Sequence, residues 1–222
     1  MENEVDIISM SFALSDDDTV LTTKIWNAID AVRYKVLMFA AASNDGLNTG
    51  RKFPARHPDV LCIHSASGAG SQSRNLNPGP HRDDFNYTAL GEHVEAPSCG
   101  DTTPRVSGTS VAAPVAAGIA ALVLGFTRQG LTERQRPIHI VEKLKTKAGM
   151  DKIFSKMIDP NPSTKNTDDY VNIQPWHWMA HNAREDPQAE KARESIASDI
   201  NKLIREVHHP DPDQAKGDAK DV

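Results

Sequence analysis

Short apolar runs alternate with polar and amphipathic stretches along the first two-thirds of the chain. Val5 to Phe12 reads V-D-I-I-S-M-S-F, rich in β-formers, and predicts a buried strand. Asp16, Asp17 and Asp18 then offer a helix start, since acidic side chains suit the positive end of the helix dipole. Leu21, Ile25, Ile29 and Val32 follow at helical spacing, with Lys24 and Asp30 off the stripe, so an amphipathic helix of about four turns is expected. Val36 to Ala42 is a second apolar run, ended by the turn residues Asn44, Asp45 and Gly46. Strand, helix and strand with short links make a βαβ unit, which builds parallel sheets.

Val60 to Ser65 predicts a further strand, residues 66–83 a long surface loop, and Asn86 to Pro97 one or two short strands. From Ser110 to about Phe126 the chain is Ala-rich and apolar on nearly all sides, the pattern of a buried helix. Residues 131–158 predict one or two amphipathic helices and residues 159–169 a loop. Trp176 and Trp178 are expected to dock on the domain. Residues 183–207 are charged, with a thin stripe at Ile196, Ile200, Leu203, Ile204 and Val207. His208 to Val222 has the composition of a disordered, dispensable tail. The expected class is α/β, a mainly parallel sheet with helices on both faces. The expected division is 1–130 as core domain, 131–180 as a docking extension, and 181–222 as charged helix and tail.

Composition narrows the function classes. The net charge is −5, which argues against a nucleic-acid or anionic-membrane surface. No apolar run approaches the ~20 residues that cross a bilayer. The acidic start, M-E-N-E-V-D, has no signal-peptide n-region, and a cytoplasmic or intracellular location is expected. Two cysteines, Cys62 and Cys99, make no disulfide framework. A mean hydropathy of −0.50 fits a chain with solvated segments.

The segment with chemical content is Ser107-Gly108-Thr109-Ser110-Val111-Ala112-Ala113-Pro114. A turn of small residues delivers Ser110 onto the first turn of an apolar helix. Backbone N–H groups are unpaired there and carry partial positive charge. A nucleophile so placed can have its own N–H facing a developing oxyanion. Gly108 permits close backbone approach, and Pro114 is expected within the first turn, where a missing N–H costs nothing. From composition alone, a buried helix capped by a serine explains the segment equally well.

Gly108-Thr109-Ser110-Val111-Ala112-Ala113-Pro114 resembles the G-T-S-x-A-x-P signature around the nucleophile of subtilisin-like serine proteases, with Val115 where that family often has His. Phe39-Ala40-Ala41-Ala42-Ser43-Asn44-Asp45-Gly46 resembles its A-A-A-G-N-x-G stretch. The resemblance implies that Asn44 supplies a side-chain amide to the oxyanion hole. It implies that Ala41 and Ser43 lie at the substrate site, with Ser43 in place of the family's Gly narrowing the wall of the S1 pocket. Ile8-Ser9-Met10-Ser11-Phe12-Ala13 resembles the I-x-M-S-x-G strand, whose edge pairs with an extended substrate backbone. Ser11, Phe12 and Ala13 are substrate-binding candidates on that ground. Phe53-Pro54-Ala55-Arg56, Pro58-Asp59-Val60 and Ala89-Leu90-Gly91 through Ala96-Pro97 match further blocks in order. The stretch from Gly149 to Trp176 is similar to the tail of intracellular fungal members.

The resemblance implies peptide hydrolysis through an acyl-enzyme on Ser110, with protein or peptide substrates. It requires an Asp and a His base as well. In the family both precede the segment that begins here at Val5, in D-x-G and H-G-T motifs. None of the nine histidines is followed by Gly-Thr, and His57, His64 and His81 are expected to be surface or structural residues. The isolated chain is therefore expected to be inactive, either as the C-terminal part of a complete catalytic domain or as a non-catalytic interaction module. Retention of both Ser110 and Asn44 favours the first. No cofactor is expected. Calcium is common in the family, but no acidic loop here follows an EF-hand pattern, and Asp16 to Asp18 is more simply a helix start.

Overall fold

Alternate residues of a strand point to opposite faces of a sheet, and the run around Phe39 uses both. Leu37, Phe39 and Ala41 join one buried cluster, while Val36, Met38, Ala40 and Ala42 join another. Such a strand must lie inside a sheet covered on both sides. The computed structural model describes residues 5–14, 18–46, 49–97, 103–130, 139–158, 169–179 and 187–207. In it this run is β2 (Leu37–Ala41). Its neighbours are β1 (Ile7–Met10), β3 (Leu61–Ala66), β4 (Asn86–Leu90) and, late in the chain, β7 (Tyr170–Asn172). The sheet order is β1-β2-β3-β4-β7 and every pairing is parallel. The expected α/β class is observed. Between β4 and β7 in sequence, β5 (Val94–Glu95) and β6 (Arg105–Val106) form a separate antiparallel pair.

Helix α1 (Thr19–Val32) covers one face. Asp18 is its N-cap and accepts from the Leu21 N–H at 3.0 Å. Asp16 and Asp17 lie outside the described residues. Ile29 is buried and Ile25 and Val32 pack beside it, but Leu21 at the head of the stripe is exposed. The first turn overhangs the sheet rather than resting on it.

The opposite face carries α2 (Thr109–Gly130), α3 (Ile140–Leu144), α4 (Lys147–Phe154) and α6 (Pro187–Arg205). Ile196, Ile200, Ile204 and Val207 are buried in this larger cluster with Ala116, Ala120 and Leu124 of α2. The thin stripe of a charged helix is enough to seat α6 against α2, α3 and α4. The stretch 208–222 lies outside the described residues, as does Cys99. Cys62 is a buried free thiol in β3.

Several sequence expectations change. Helix α2 is long and apolar enough to cross a membrane by length and composition, because its Gly, Ser, Thr and Pro residues interrupt no span. It packs instead on β1 to β4 as the core helix. Nor is it buried all round. Pro114, Gly118, Ala121 and Leu122 form an exposed stripe, with Leu122 66% exposed, because sheet and helices cover only part of its circumference. Residues 66–83 are not a plain surface loop, since Gln72, Ser73 and Asn77 are buried. The Asn77 amide pairs with the Ser65 backbone through two 2.7 Å bonds, as an added strand would. The segment around Tyr170 enters the sheet as β7. Trp178 of α5 (Trp176–Met179) packs against the core, but Trp176 is exposed.

Helix α4 brings a titratable group into this core. Asp151 has a buried Oδ1 with no partner among the described residues, and burial pushes its carboxyl up to about 6. The folded state thus holds a proton that the unfolded chain releases near pH 4. This contribution to stability is fully present below that pH and lost as the pH rises through 6. Asp151→Asn should therefore raise the unfolding free energy from urea melts at pH 7.5, by up to about 2–3 kcal/mol, with the gain shrinking towards pH 4. A gain independent of pH would disprove the assignment.

Candidate active site

The C-terminal ends of β1 and β2 and the N-terminus of α2 converge, as the ends of parallel strands and the starts of helices do at ligand sites in α/β sheets. There a cavity of about 250 Å³ is lined by Ser11, Phe12, Ala13, Ala41, Ser43, Asn44, Asp45, Lys52, Thr109 and Ser110. Eight of these were singled out from sequence, and they come from three separate segments. Asp45 and Lys52 were not. Lys52 lies just before the Phe53-Pro54-Ala55 block, and its side chain reaches the cavity because its backbone N–H donates to the Ala42 carbonyl at 3.1 Å.

Ser110 is the second residue of α2, in the turn whose N–H groups have no intrahelical acceptors. Asn44 resolves part of that deficit across the gap. Its Oδ1 accepts the Thr109 N–H at 2.9 Å and the Thr109 hydroxyl at 3.0 Å. With its oxygen so engaged, the side chain is fixed and its Nδ2 is left as a directed donor. Gly108 allows the approach, because a Cβ there would stand 3.2 Å from Asn44 Nδ2. Behind it, a Cβ on Gly91 would stand 2.5 Å from Ser65 Oγ and 2.8 Å from the Gly108 carbonyl. Gly91 O in turn accepts the Gly108 N–H at 2.8 Å.

Pro114 does not fall in the first turn, since α2 begins at Thr109 and Pro114 is its sixth residue. Its missing N–H is therefore one that would have bonded the carbonyl four residues back, that of Ser110. Ser11 supplies the replacement, its hydroxyl donating to Ser110 O at 2.8 Å. Ser11 thus ties the exit of β1 to the residue that carries the candidate nucleophile.

Ser43 adopts φ +135°, a region that favours glycine. Its side chain answers that strain with local bonds. Ser43 Oγ accepts the Asp45 N–H and donates to Asp45 Oδ2, each at 3.2 Å. Asp45 Oδ2 also holds the Lys52 ammonium. Lys52, and then Ser43, keep the Asp45 carboxyl below its usual range.

No histidine lines the cavity among the described residues. His57 is buried under Trp26; its Nδ1 accepts the Asp59 N–H at 3.1 Å and its Nε2 lies 3.5 Å from Asp30. Burial, chiefly, lowers its pKa. His64 sits inside β3 with Nδ1 3.2 Å from the Tyr87 carbonyl, and burial pushes its pKa down to about 3. Both are structural, and neither is at the surface. His81 is exposed, in the loop. Asp30, His57 and Asp59 lie close enough together to suggest a cation site. However, Arg33 already bonds Asp30 at 2.7 Å and lies 4.0 Å from Asp59. The Nδ1 of His57, being an acceptor, leaves the proton on Nε2. Arg33 thus occupies the side of the cluster that a cation would take, and His57 offers it no free Nδ1.

Fold and cavity together define an α/β protein with Ser110, Thr109 and Asn44 gathered where the ends of parallel strands meet the start of α2. The sequence profile of the subtilase family, peptidase S8, matches residues 1–173, and the chain belongs to that family. A subtilisin-like protease, het-Q2, of Podospora anserina is 31% identical over 112 residues, covering 49% of this chain and 31% of that protein. The major intracellular serine protease of Bacillus subtilis is 30% identical, over 60% of this chain and 41% of that protein. Subtilisin of Bacillus pumilus is 28% identical, over 56% and 44%. The chain thus spans less than half the length of these relatives. Among solved structures, the prenylagaramide maturation protease PagA superposes with a TM-score of 0.57 at 22% identity, covering 78% of this chain and 60% of that one. The PatG macrocyclase in complex with peptide gives 0.57 at 22%, covering 87% and 51%. At that identity the likeness speaks for the fold.

Two substitutions test the framework. Gly91→Ala should destabilise by about 1–3 kcal/mol, since its Cβ meets backbone that cannot step aside. Ser11→Ala should cost about 1 kcal/mol by leaving Ser110 O without a donor. Denaturant melts of residues 1–222 measure both. An unchanged midpoint in Gly91→Ala would show that the turn before Ser110 yields freely.

Proposed function

We propose that Ser110 is the nucleophile of a serine endopeptidase that opens peptide bonds through an acyl-enzyme, with Asn44 as an oxyanion donor. The observation that carries this reading is the arrangement at the cavity mouth. Asn44 Oδ1 is spent on Thr109, so its Nδ2 is left as a donor in the cavity that Ser110 also lines. Preorganised donors of this kind stabilise the tetrahedral oxyanion without reorganisation. The Ser110 N–H, at the positive end of α2, is the natural second donor. Thr109 and Gly108 hold the turn, and Phe12 and Ala13 offer backbone to an extended peptide.

A serine hydroxyl needs a base to take its proton and a carboxylate to orient that base. Among the described residues no histidine lines the cavity, and its carboxylate, Asp45, is engaged by Lys52 and Ser43, so in this reading base and orienting carboxylate both come from another part of the whole protein. Acyl transfer of this type needs no metal or cofactor.

Residues 1–222 alone should neither hydrolyse peptides nor react with a fluorophosphonate probe. Probe labelling mapped to Ser110 would mean that a group within this chain activates it. When the chain is joined to a segment bearing the family's Asp and His, activity should appear, and Ser110→Ala should abolish it. Asn44→Ala should lower kcat about 10²–10³-fold with little change in KM, a magnitude known from the equivalent loss in subtilisin itself. Full activity of Ser110→Ala in that setting would end the protease reading.

A further inference from the structure

We infer that Lys52 makes this cavity selective for an acidic side chain on the residue whose carbonyl is attacked; the inference rests on the protease reading above. A carbonyl held between Ser110 and Asn44 Nδ2 places its own residue's side chain nearest the cavity. Among the described lining residues Lys52 is the one cation and Asp45 the one anion. The other side chains there are small, apolar or neutral.

The two charges are not equivalent. Asp45 Oδ2 already receives the Ser43 hydroxyl and the Lys52 ammonium. The ammonium has three donors, of which Asp45 takes one. Two of these donors remain for a ligand, against one Asp45 oxygen, Oδ1, that remains as an acceptor. Asn44 Nδ2 and the Ser110 N–H are taken by the carbonyl oxygen in this reading, so Lys52 is the lining cation left for an anionic side chain.

The lysine is also held in place from both ends. Its backbone N–H is bonded to the Ala42 carbonyl, and the neighbouring Phe53 carbonyl accepts the Leu14 N–H at 2.9 Å. Its head is held by Asp45, and Asp45 by Ser43. Ser43 is the residue that departs from glycine at φ +135°. Its hydroxyl is what fixes the carboxylate, so the strained position and the charged wall belong to one device. The side chains of Lys52 and Asp45 are 40% and 44% exposed, so the preference is modest and screened by salt.

Peptide binding tests this without any turnover. Residues 1–222 are titrated, with NMR detection, with N-acetyl tripeptide amides ending in Glu, Gln, Phe or Lys. The Glu peptide should bind about fivefold tighter than its Gln isostere at low ionic strength, the order of a partly exposed ion pair. The gain should vanish in 0.5 M salt, as roughly a 3–8 Å Debye length implies. Lys52→Met should erase it, Lys52→Arg should retain it, and Asp45→Asn should enlarge it by removing the competing carboxylate. Equal binding of Glu and Gln, a Glu preference surviving Lys52→Met, or no binding of any peptide would overturn the inference. Ser110-dependent turnover in the restored protein, without a Glu preference, would sink this inference alone. Turnover indifferent to Ser110→Ala would sink the protease reading.

Discussion

The structure of the site depends on one side-chain oxygen bridging two segments 65 residues apart. Asn44 Oδ1 accepts both the N–H and the hydroxyl of Thr109, and the same hydroxyl lies 3.2 Å from the Ser43 carbonyl. These bonds close the gap between the end of β2 and the start of α2. An unpaired donor in a buried helix start is costly, so the bridge satisfies the helix and immobilises the amide together. Loop ends of a parallel sheet are otherwise free to drift relative to a helix that packs mainly by apolar contact. Here the position of Ser110 relative to Asn44 Nδ2 is set by hydrogen bonds, which are directional, and the apolar core only has to keep α2 on the sheet.

That constraint explains the small residues around it. Gly108 stands where a Cβ would press on the Asn44 amide, and Gly91 where one would press on the turn from behind. Pro114 removes a helix hydrogen bond and Ser11 restores it from another strand. The exchange converts a local bond inside α2 into a long-range bond to β1. A helix start tied to β1 through Ser11, to β2 through Asn44 and to the β4 exit through Gly91 has little freedom to rotate. The orientation of the α2 start rests on these three ties, and in the proposed reading they are what preorganises the oxyanion donors.

Much of this was legible in the sequence because it rests on residue types with few substitutes. The parallel sheet followed from the βαβ pattern of Val5 to Ala42, two short apolar runs either side of an amphipathic helix. The G-T-S-x-A-x-P turn located α2 and Ser110, and Asn44 followed from the second block. What the sequence hid was long-range. Lys52 reads as an ordinary surface lysine until its backbone bond to Ala42 turns it into the cavity. The segment around Tyr170 is too short for a periodic signal, and becomes a strand only by pairing with β4. Pro114 was misplaced because the helix starts earlier than a serine cap would imply. The exposed stripe on α2 was misread because composition reports how apolar a helix is, not how much of it neighbours cover.

The division of chemical labour within the segment follows from the same physics. Everything gathered at the cavity works by being held still: an amide locked by its oxygen, a backbone N–H at a helix start, an ammonium clamped by a carboxylate. A proton-transferring base has a different requirement, a pKa near working pH and room to exchange protons. The buried histidines described here lie away from the cavity and have little room to exchange protons. His64 is pushed down to about 3 inside β3, and His57 is lowered by burial with its Nδ1 occupied by a backbone donor. Burial that secures the sheet leaves these histidines as structural residues, and in the reading proposed for Ser110 the base is delivered from a separate element. On that reading, the parts that must not move stay together on one packed unit.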